Sequence, residues 1–256
     1  MAVRVHLALL GPAQVAQAGQ SIPGLAHGKP LALLGYLVAR RQPLAREHVA
    51  SLLWAELPTD RARANLSWTL HKLSAGLPGC FEGDRYSLWF ERSSNVWTDL
   101  DALDDWIAQG ETTALVKATG LYRGEFLQDL SLDHCPEYEL WLVGERERWR
   151  RRTTTALADL VADCRQRGEC REGLRLVRRL LALEPWREDM HREAMRLLVE
   201  CGQRCTALIQ YEACCRCLQE ELGIRPSTET VSLYLRIRDG GTGEPGTPPR
   251  ARVSEK

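Results

Sequence analysis

Hydrophobic and polar positions alternate at the start of the chain. Val3, Val5, Leu7 and Leu9 are interleaved with Arg4, His6 and Ala8 and end at the turn pair Gly11-Pro12. This period of two predicts a short strand, and Ala13 to Ala16, closed by Ala18-Gly19, predicts a second. From Lys29 the spacing becomes helical: Leu31, Leu34, Tyr36 or Leu37 and Val38 recur up to Arg40-Arg41, and Pro43 stops the element. A second helix is predicted from Arg46 to Trp54, with Val49, Leu52 and Leu53 on one face. A third begins after Thr59 or Asp60, either of which suits the N-cap. Its apolar stripe is Ala62, Leu66, Thr69, Leu70, Leu73 and Leu77, and Pro78-Gly79 ends it. Alternation then returns in Phe81, a turn at Glu82 to Arg85, Tyr86, Leu88 and Phe90, followed by Val96 to Asp99. Strands, three helices and a hairpin are the order of a winged helix-turn-helix.

Beyond residue 101 the pattern is helical throughout. Segments are predicted near 101–109, 112–119, 137–167, 170–183, 188–201, 204–222 and 228–238, broken by Gly168, Pro185, Gly202, Gly223 and Pro226. Gly168 and Gly202 stand 34 residues apart, and Gly173 and Ala207, then Val177 and Tyr211, fall in step with them. That period is the one of tetratricopeptide repeats, in which small residues let paired helices approach closely. Gly240 to Lys256 holds four Gly and three Pro and reads as a flexible tail or linker. The expected fold class is therefore mainly α with small β elements. A winged helix-turn-helix over 1–100 is followed by an all-α tetratricopeptide-like domain over 101–239 and the tail over 240–256.

Composition fits two globular domains: 44% of the 256 residues are hydrophobic and 27% charged, with 34 basic and 34 acidic side chains. No apolar run approaches the ~18 residues of a membrane span, and the opening Met-Ala-Val-Arg-Val-His lacks the layout of a signal peptide. A cytoplasmic protein without membrane contact is expected. The neutral total conceals a weak asymmetry. Residues 1–100 hold ten basic against seven acidic side chains, the remainder twenty-four against twenty-seven, which assigns any polyanionic partner to the first part.

Enzyme signatures are absent: there is no phosphate-binding glycine loop, nucleophile elbow, His-Glu-x-x-His or dinucleotide fingerprint. The six histidines, at 6, 27, 48, 71, 134 and 191, show no metal spacing. No enzyme, cofactor or metal is expected. Chemistry concentrates on the third helix, which leaves Arg61, Arg63, Asn65, Ser67, Trp68, His71 and Lys72 opposite its apolar stripe. Arginine bridges guanine or grips phosphate, asparagine bridges adenine, and Ser and Lys fix the backbone of a duplex. Arg85, in the hairpin turn, is placed for a phosphate or a neighbouring minor groove, and Lys29 and Arg46 add charge at two helix starts. The competing interpretation of each is an ordinary solvated charge. Trp68 has two readings, contact with a thymine methyl or sugar and packing against the wing.

Two further clusters stand out. Arg146, Arg148, Arg150, Arg151 and Arg152, interleaved with Glu145 and Glu147, read as a solvated helix with charge pairs at i to i+4 in preference to a nucleic-acid stripe; a domain interface is a third reading. The nine cysteines are expected as thiols. Cys214-x-x-Cys217, with Cys201 or Cys205, reads as helix packing and lacks the paired knuckles of zinc sites.

Several stretches resemble a known family. Lys29-Pro-Leu-Ala-Leu-Leu-Gly-Tyr-Leu, Arg46 to Trp54 and Ala62-Arg63-Ala-Asn65-Leu66 look like the DNA-binding domain of the Streptomyces antibiotic regulatory proteins. Leu121 to Leu127, Leu180 to Pro185, Tyr211-Glu212 and Glu221 to Thr230 resemble the bacterial transcriptional activator domain that follows it there. The resemblance covers residues 1 to about 238, and the phrases at 121–127 and 221–230 are the most specific. Where the family's recognition helix commonly continues with one or two arginines after Leu73, this chain has Ser74 and Ala75. The resemblance implies a sequence-specific, double-stranded-DNA-binding transcriptional activator that binds promoter repeats, self-associates on DNA and contacts RNA polymerase. The alternative is a protein-interaction adaptor whose winged helix no longer binds DNA.

Overall fold

The computed structural model describes residues 5–93 and 95–240. Val3 and all of the expected tail except Gly240 lie outside the described residues. The chain divides into two compact units, Met1–Ala156 and Leu157–Lys256.

The first unit opens with an antiparallel meander of β1 (Val5–Ala8), β2 (Gln14–Gln17) and β3 (Gln20–Ser21). Helix α1 (Gly28–Arg40) follows and is buried at every residue from Leu31 to Ala39, as expected of a helix apolar on all sides. Then come β4 (Leu44–Ala45), α2 (Arg46–Leu53) and α3 (Thr59–Gly76), with a core face of Val49, Ala50, Leu52 and Leu53 on α2 and Ala62, Leu66, Thr69 and Leu73 on α3. Neither expected cap serves α3. Both Thr59 and Asp60 are inside the helix, and Pro58, its fixed φ suited to a helix start, takes the cap position without a side-chain bond.

Strands β5 (Phe81–Gly83) and β6 (Ser87–Phe90) form the wing hairpin, and β4 joins it to give the order β4-β6-β5. Gly83 is required there: a Cβ would lie 2.6 Å from the Ser87 carbonyl oxygen. β7 (Val96–Thr98), which the sequence places after the hairpin, runs parallel to β1 and completes the other sheet in the order β3-β2-β1-β7. Strands, three helices and wing make a winged helix-turn-helix.

Residues 101–156, which the sequence groups with the repeats, belong to the first compact unit. After α4 (Asp99–Gln109) and α5 (Thr112–Leu121), the phrase Leu121 to Leu127 pairs with Leu9, Leu10 and Gly11, just beyond β1. Leu127 N–H donates to the Leu9 carbonyl at 2.8 Å, Gly11 N–H to Glu125 at 2.9 Å, and Arg123 N–H to Leu10 at 3.1 Å. Gly35 of α1 leaves room for the Leu127 side chain, whose Cδ1 would stand 2.5 Å from a Cβ. The phrase is thus a structural joint. Arg146, on the long helix α6 (Pro136–Gln166), secures it by donating to the carbonyls of Phe126 (3.1 Å), Leu127 (2.9 Å), Gln128 (3.3 Å) and Leu130 (3.0 Å).

The arginine run is accordingly not a uniform solvated face. Arg152 pairs with Asp104 of α4 at 2.7 Å, and the pairs within α6, Arg148 with Glu145 and Arg150 with Glu147, span i to i+3 instead of i to i+4.

The second unit contains residues 157–166 of α6, then α7 (Cys170–Leu183), α8 (Glu188–Glu200), α9 (Arg204–Leu222) and α10 (Thr228–Arg238). The 34-residue period is visible in the backbone. Gly168 (φ 70°) and Gly202 (φ 73°) close α6 and α8 in the left-handed region. The amide of the next residue reaches back identically in both, Glu169 to the Cys164 carbonyl at 2.8 Å and Gln203 to Leu198 at 2.7 Å, which is the Schellman closure. Gly173 packs where a Cβ would lie 3.0 Å from Leu197, and Ala207 is fully buried. Val177 is buried, whereas Tyr211, its counterpart, stacks on Tyr234 at 4.1 Å.

The expectation of nine thiols is not met, since Cys170 and Cys201 form a disulfide between the start of α7 and the end of α8. Helix pairing brings together two residues 31 apart in sequence, a proximity that no cysteine spacing announces. Cys201 is therefore not available to a site with Cys214 and Cys217. Cys214 is buried, and burial raises its thiol pKa to about 12.

Candidate nucleic-acid interface

Helix α3 follows α2 after a short turn, and the wing follows α3, so three elements converge on one surface. Arg46, at the start of α2, is held by its own N–H donating to the Tyr86 carbonyl of the wing at 2.8 Å. Its guanidinium reaches Ser67 Oγ at 3.3 Å, and Ser67 in turn donates to the Arg63 carbonyl at 3.0 Å. Arg46, Glu47, Arg63, Ser67, Arg85 and Tyr86 line one cleft. The wing turn is fixed by Asp84, whose carboxylate accepts from Tyr86 N–H at 2.7 Å and Ser87 N–H at 2.6 Å. Those backbone bonds, that of Ser87 foremost, hold its pKa below the usual carboxylate value. Arg85 is thereby presented beside the helix, its guanidinium 5.6 Å over the Tyr86 ring.

Of the residues singled out in the sequence, Arg46, Arg63, Ser67 and Arg85 share this cleft. Arg61, Asn65, Trp68 and His71 are exposed on α3, and Lys72 is half-buried with its ammonium 5.8 Å over the Trp68 ring. Trp68 is 65% exposed, which rejects its packing against the wing. Lys29 is drawn elsewhere. Its ammonium donates to the Leu53 carbonyl and to Cys135 Sγ (2.9 Å) and lies 5.8 Å over the Trp54 ring, so it ties elements of the first unit together.

Two residues of the surface were not singled out. Glu47 pairs with Arg63 inside the cleft, and Tyr86 is 70% exposed on the wing. The sequence shows Glu47 only as an acidic residue in a first helical turn and Tyr86 only as one member of an alternating strand. Their meeting with α3 and Arg85 is a product of the turn between helices and of wing geometry.

A model of the bacterial transcriptional activator domain matches residues 96–238. Regulatory protein AfsR of Streptomyces griseus is 27% identical over 248 residues, covering 91% of this chain and 24% of AfsR. The chain belongs to the Streptomyces antibiotic regulatory protein family. It spans about a quarter of the length of that curated relative. Among solved structures, Mycobacterium tuberculosis EmbR, in a complex with a low-affinity phosphopeptide, aligns with a TM-score of 0.68 at 22% identity, over 93% of this chain and 66% of EmbR. At that identity the likeness concerns the fold, and the fold agrees: a winged helix precedes helical repeats. The family is one of transcriptional regulators and not of enzymes. Among the described residues no group of His, Cys, Asp and Glu is arranged to hold a metal, and no helix is long and apolar enough to cross a membrane.

Proposed function

We propose that this family member is a transcriptional activator that binds duplex DNA by laying α3 in the major groove, with the wing beside the adjacent backbone. The observation that carries this reading is the cleft in which Arg46, Arg63, Ser67 and Arg85, drawn from α2, α3 and the wing turn, meet next to the exposed face of α3. Guanidiniums and hydroxyls at the flanks of an exposed helix suit phosphates on either side of a groove, while the helix face meets base edges. Sequence-independent affinity then arises from counterion release, and discrimination from the face of α3. The closely packed repeats of the second unit offer a surface for protein partners. On this reading they support binding to paired promoter sites, self-association on DNA and contact with RNA polymerase.

Glu47 favours a second reading. By occupying Arg63 it removes one cation from the cleft, as expected of a winged helix retained in an adaptor for its shape. Selection of bound sequences from random duplex DNA with the full chain separates the two. Recovery of a defined, repeated site supports the regulator; recovery of no enriched sequence supports the adaptor.

A further inference from the structure

On α3 the residues turn by about 100° each, so the buried set Ala62, Leu66, Thr69 and Leu73 fixes which positions point directly outward. Those are Ala64 and His71, within about 10° of the outward direction, with Asp60 and Ala75 about 30° and Ser67 and Trp68 about 50° to either side, all exposed. The basic side chains lie to either side of this ridge: Arg63 with Ser67 on one flank, Arg61 and Lys72 on the other. Asn65 sits on the margin nearer the core, and the Ser67 hydroxyl is engaged by the Arg63 carbonyl and by Arg46. The centre of the outward face is therefore Ala64 and His71, with the acid Asp60 at its N-terminal end and, toward the Lys72 flank, its one large apolar group, the Trp68 indole, beside the methyl side chains of Ala64 and Ala75.

Trp68 is an anomaly in aqueous terms. Among the described residues it is the one tryptophan of eight that is exposed, and the other large apolar side chain on this surface is Tyr86. Each of the two is paired with a cation, Lys72 over Trp68 at 5.8 Å and Arg85 over Tyr86 at 5.6 Å. A ring of this size gains by burial against apolar surface, and the cation above it leaves its far face and edge open. In the major groove the apolar group available to such a ridge is the 5-methyl of thymine.

We infer that Trp68 is a specificity-determining residue that reads thymine through its 5-methyl group, with Arg46 and Lys72 setting the depth of the helix from phosphates on the two sides. This rests on the DNA-binding reading above and names the base class that the α3 face selects. Asparagine–adenine pairing then takes a secondary place, because Asn65 is on the margin.

The test uses the full chain and the site recovered by selection, with each thymine replaced singly by deoxyuridine, which keeps the Watson–Crick edge and lacks only the methyl. Wild type should lose roughly three- to tenfold in affinity at one or two thymines and nothing at the rest. Trp68→Ala should show the same loss on the thymine duplex and no further loss on deoxyuridine. Trp68→Phe should recover part of the difference. Unchanged melting of the variants verifies that they fold, as expected for a side chain this exposed. Specific binding that is indifferent to every deoxyuridine, or equally sensitive in wild type and Trp68→Ala, overturns the thymine reading while leaving DNA recognition intact. Absence of any specific site overturns both.

Discussion

Glu47 and Arg63 form an ion pair from α2 to α3 on the surface proposed to face DNA, and both partners are more than half exposed. An exposed pair of this kind adds at most about 1 kcal/mol to folding, so its main effect is on which charge the surface presents. Glu47 neutralises a guanidinium otherwise aimed outward. Together with Ser74 and Ala75, which half-bury or expose no charge at the end of α3, it lowers the positive potential of the recognition surface.

Replacing Glu47 with Gln should raise affinity for any duplex several-fold at low salt. It should also steepen the log–log salt dependence by nearly one unit, the slope of one added phosphate contact. Glu56→Gln, an exposed acid outside the cleft, is the control. Electrophoretic titrations over a range of salt provide the measurement, and identical slopes for wild type and Glu47→Gln would show that Arg63 does not reach phosphate.

Arg46 and Lys29 should separate cleanly. Arg46→Gln is expected to reduce the salt slope by nearly one unit with little change in melting. Lys29→Gln should leave the slope unchanged and destabilise the chain by about 1–2 kcal/mol, because the Leu53 carbonyl and Cys135 lose a charged donor. Melting curves recorded beside the binding titrations test the pair; a reversed pattern would move Lys29 back to the DNA face.

Asp99 predicts a pH dependence. It is almost fully buried at the start of α4, accepts from Leu10 N–H at 2.8 Å, and has its pKa raised by burial to about 6 despite that bond and Arg123 at 3.8 Å. The folded state holds this proton more tightly than the unfolded chain. Stability from this group therefore declines as pH rises from about 4 to about 6 and stays at the lower level above. Asp99→Asn keeps an acceptor for Leu10 and cannot ionise. Its stability relative to wild type should increase across that window by up to about 3 kcal/mol and remain constant at higher pH. Denaturant titrations at a series of pH values decide it; parallel curves would place an ionised Asp99 in the fold at pH 4.

The Cys170–Cys201 bond closes a loop of about 31 residues, worth about 3–4 kcal/mol through the unfolded chain's lost freedom. Reduction should lower the melting temperature of the wild type and leave a Cys170→Ser/Cys201→Ser variant unaffected, the two then melting alike. Peptide mapping without reductant should recover the cross-linked pair. Free thiols at both positions in the untreated protein would return these cysteines to the packing role that their neighbours have.

Much of this molecule was legible along the chain. Among the described residues, the periods of two and 3.6 marked the ten α-helices and most of the strands to within a residue or two, because apolar spacing reports which face of an element is covered. Gly168 and Gly202 marked the repeat because a helix closure in the left-handed region favours glycine wherever it recurs. The apolar stripe of α3 likewise revealed which of its residues face outward.

The sequence could not decide what those outward residues meet. Arg63 and Lys29 are both basic residues on helices of one domain, yet one borders the cleft with Glu47 and the other ties Leu53 to Cys135. The difference depends on which residues lie across from them, a matter of helix crossing and not of local spacing. The exposure of Trp68, the parallel partner of β7, the four carbonyls gathered by Arg146 and the Cys170–Cys201 bond belong to the same class. Each joins groups distant in sequence or depends on what packs nearby. Local pattern determined the elements, and the packing of those elements determined the surface on which function is proposed.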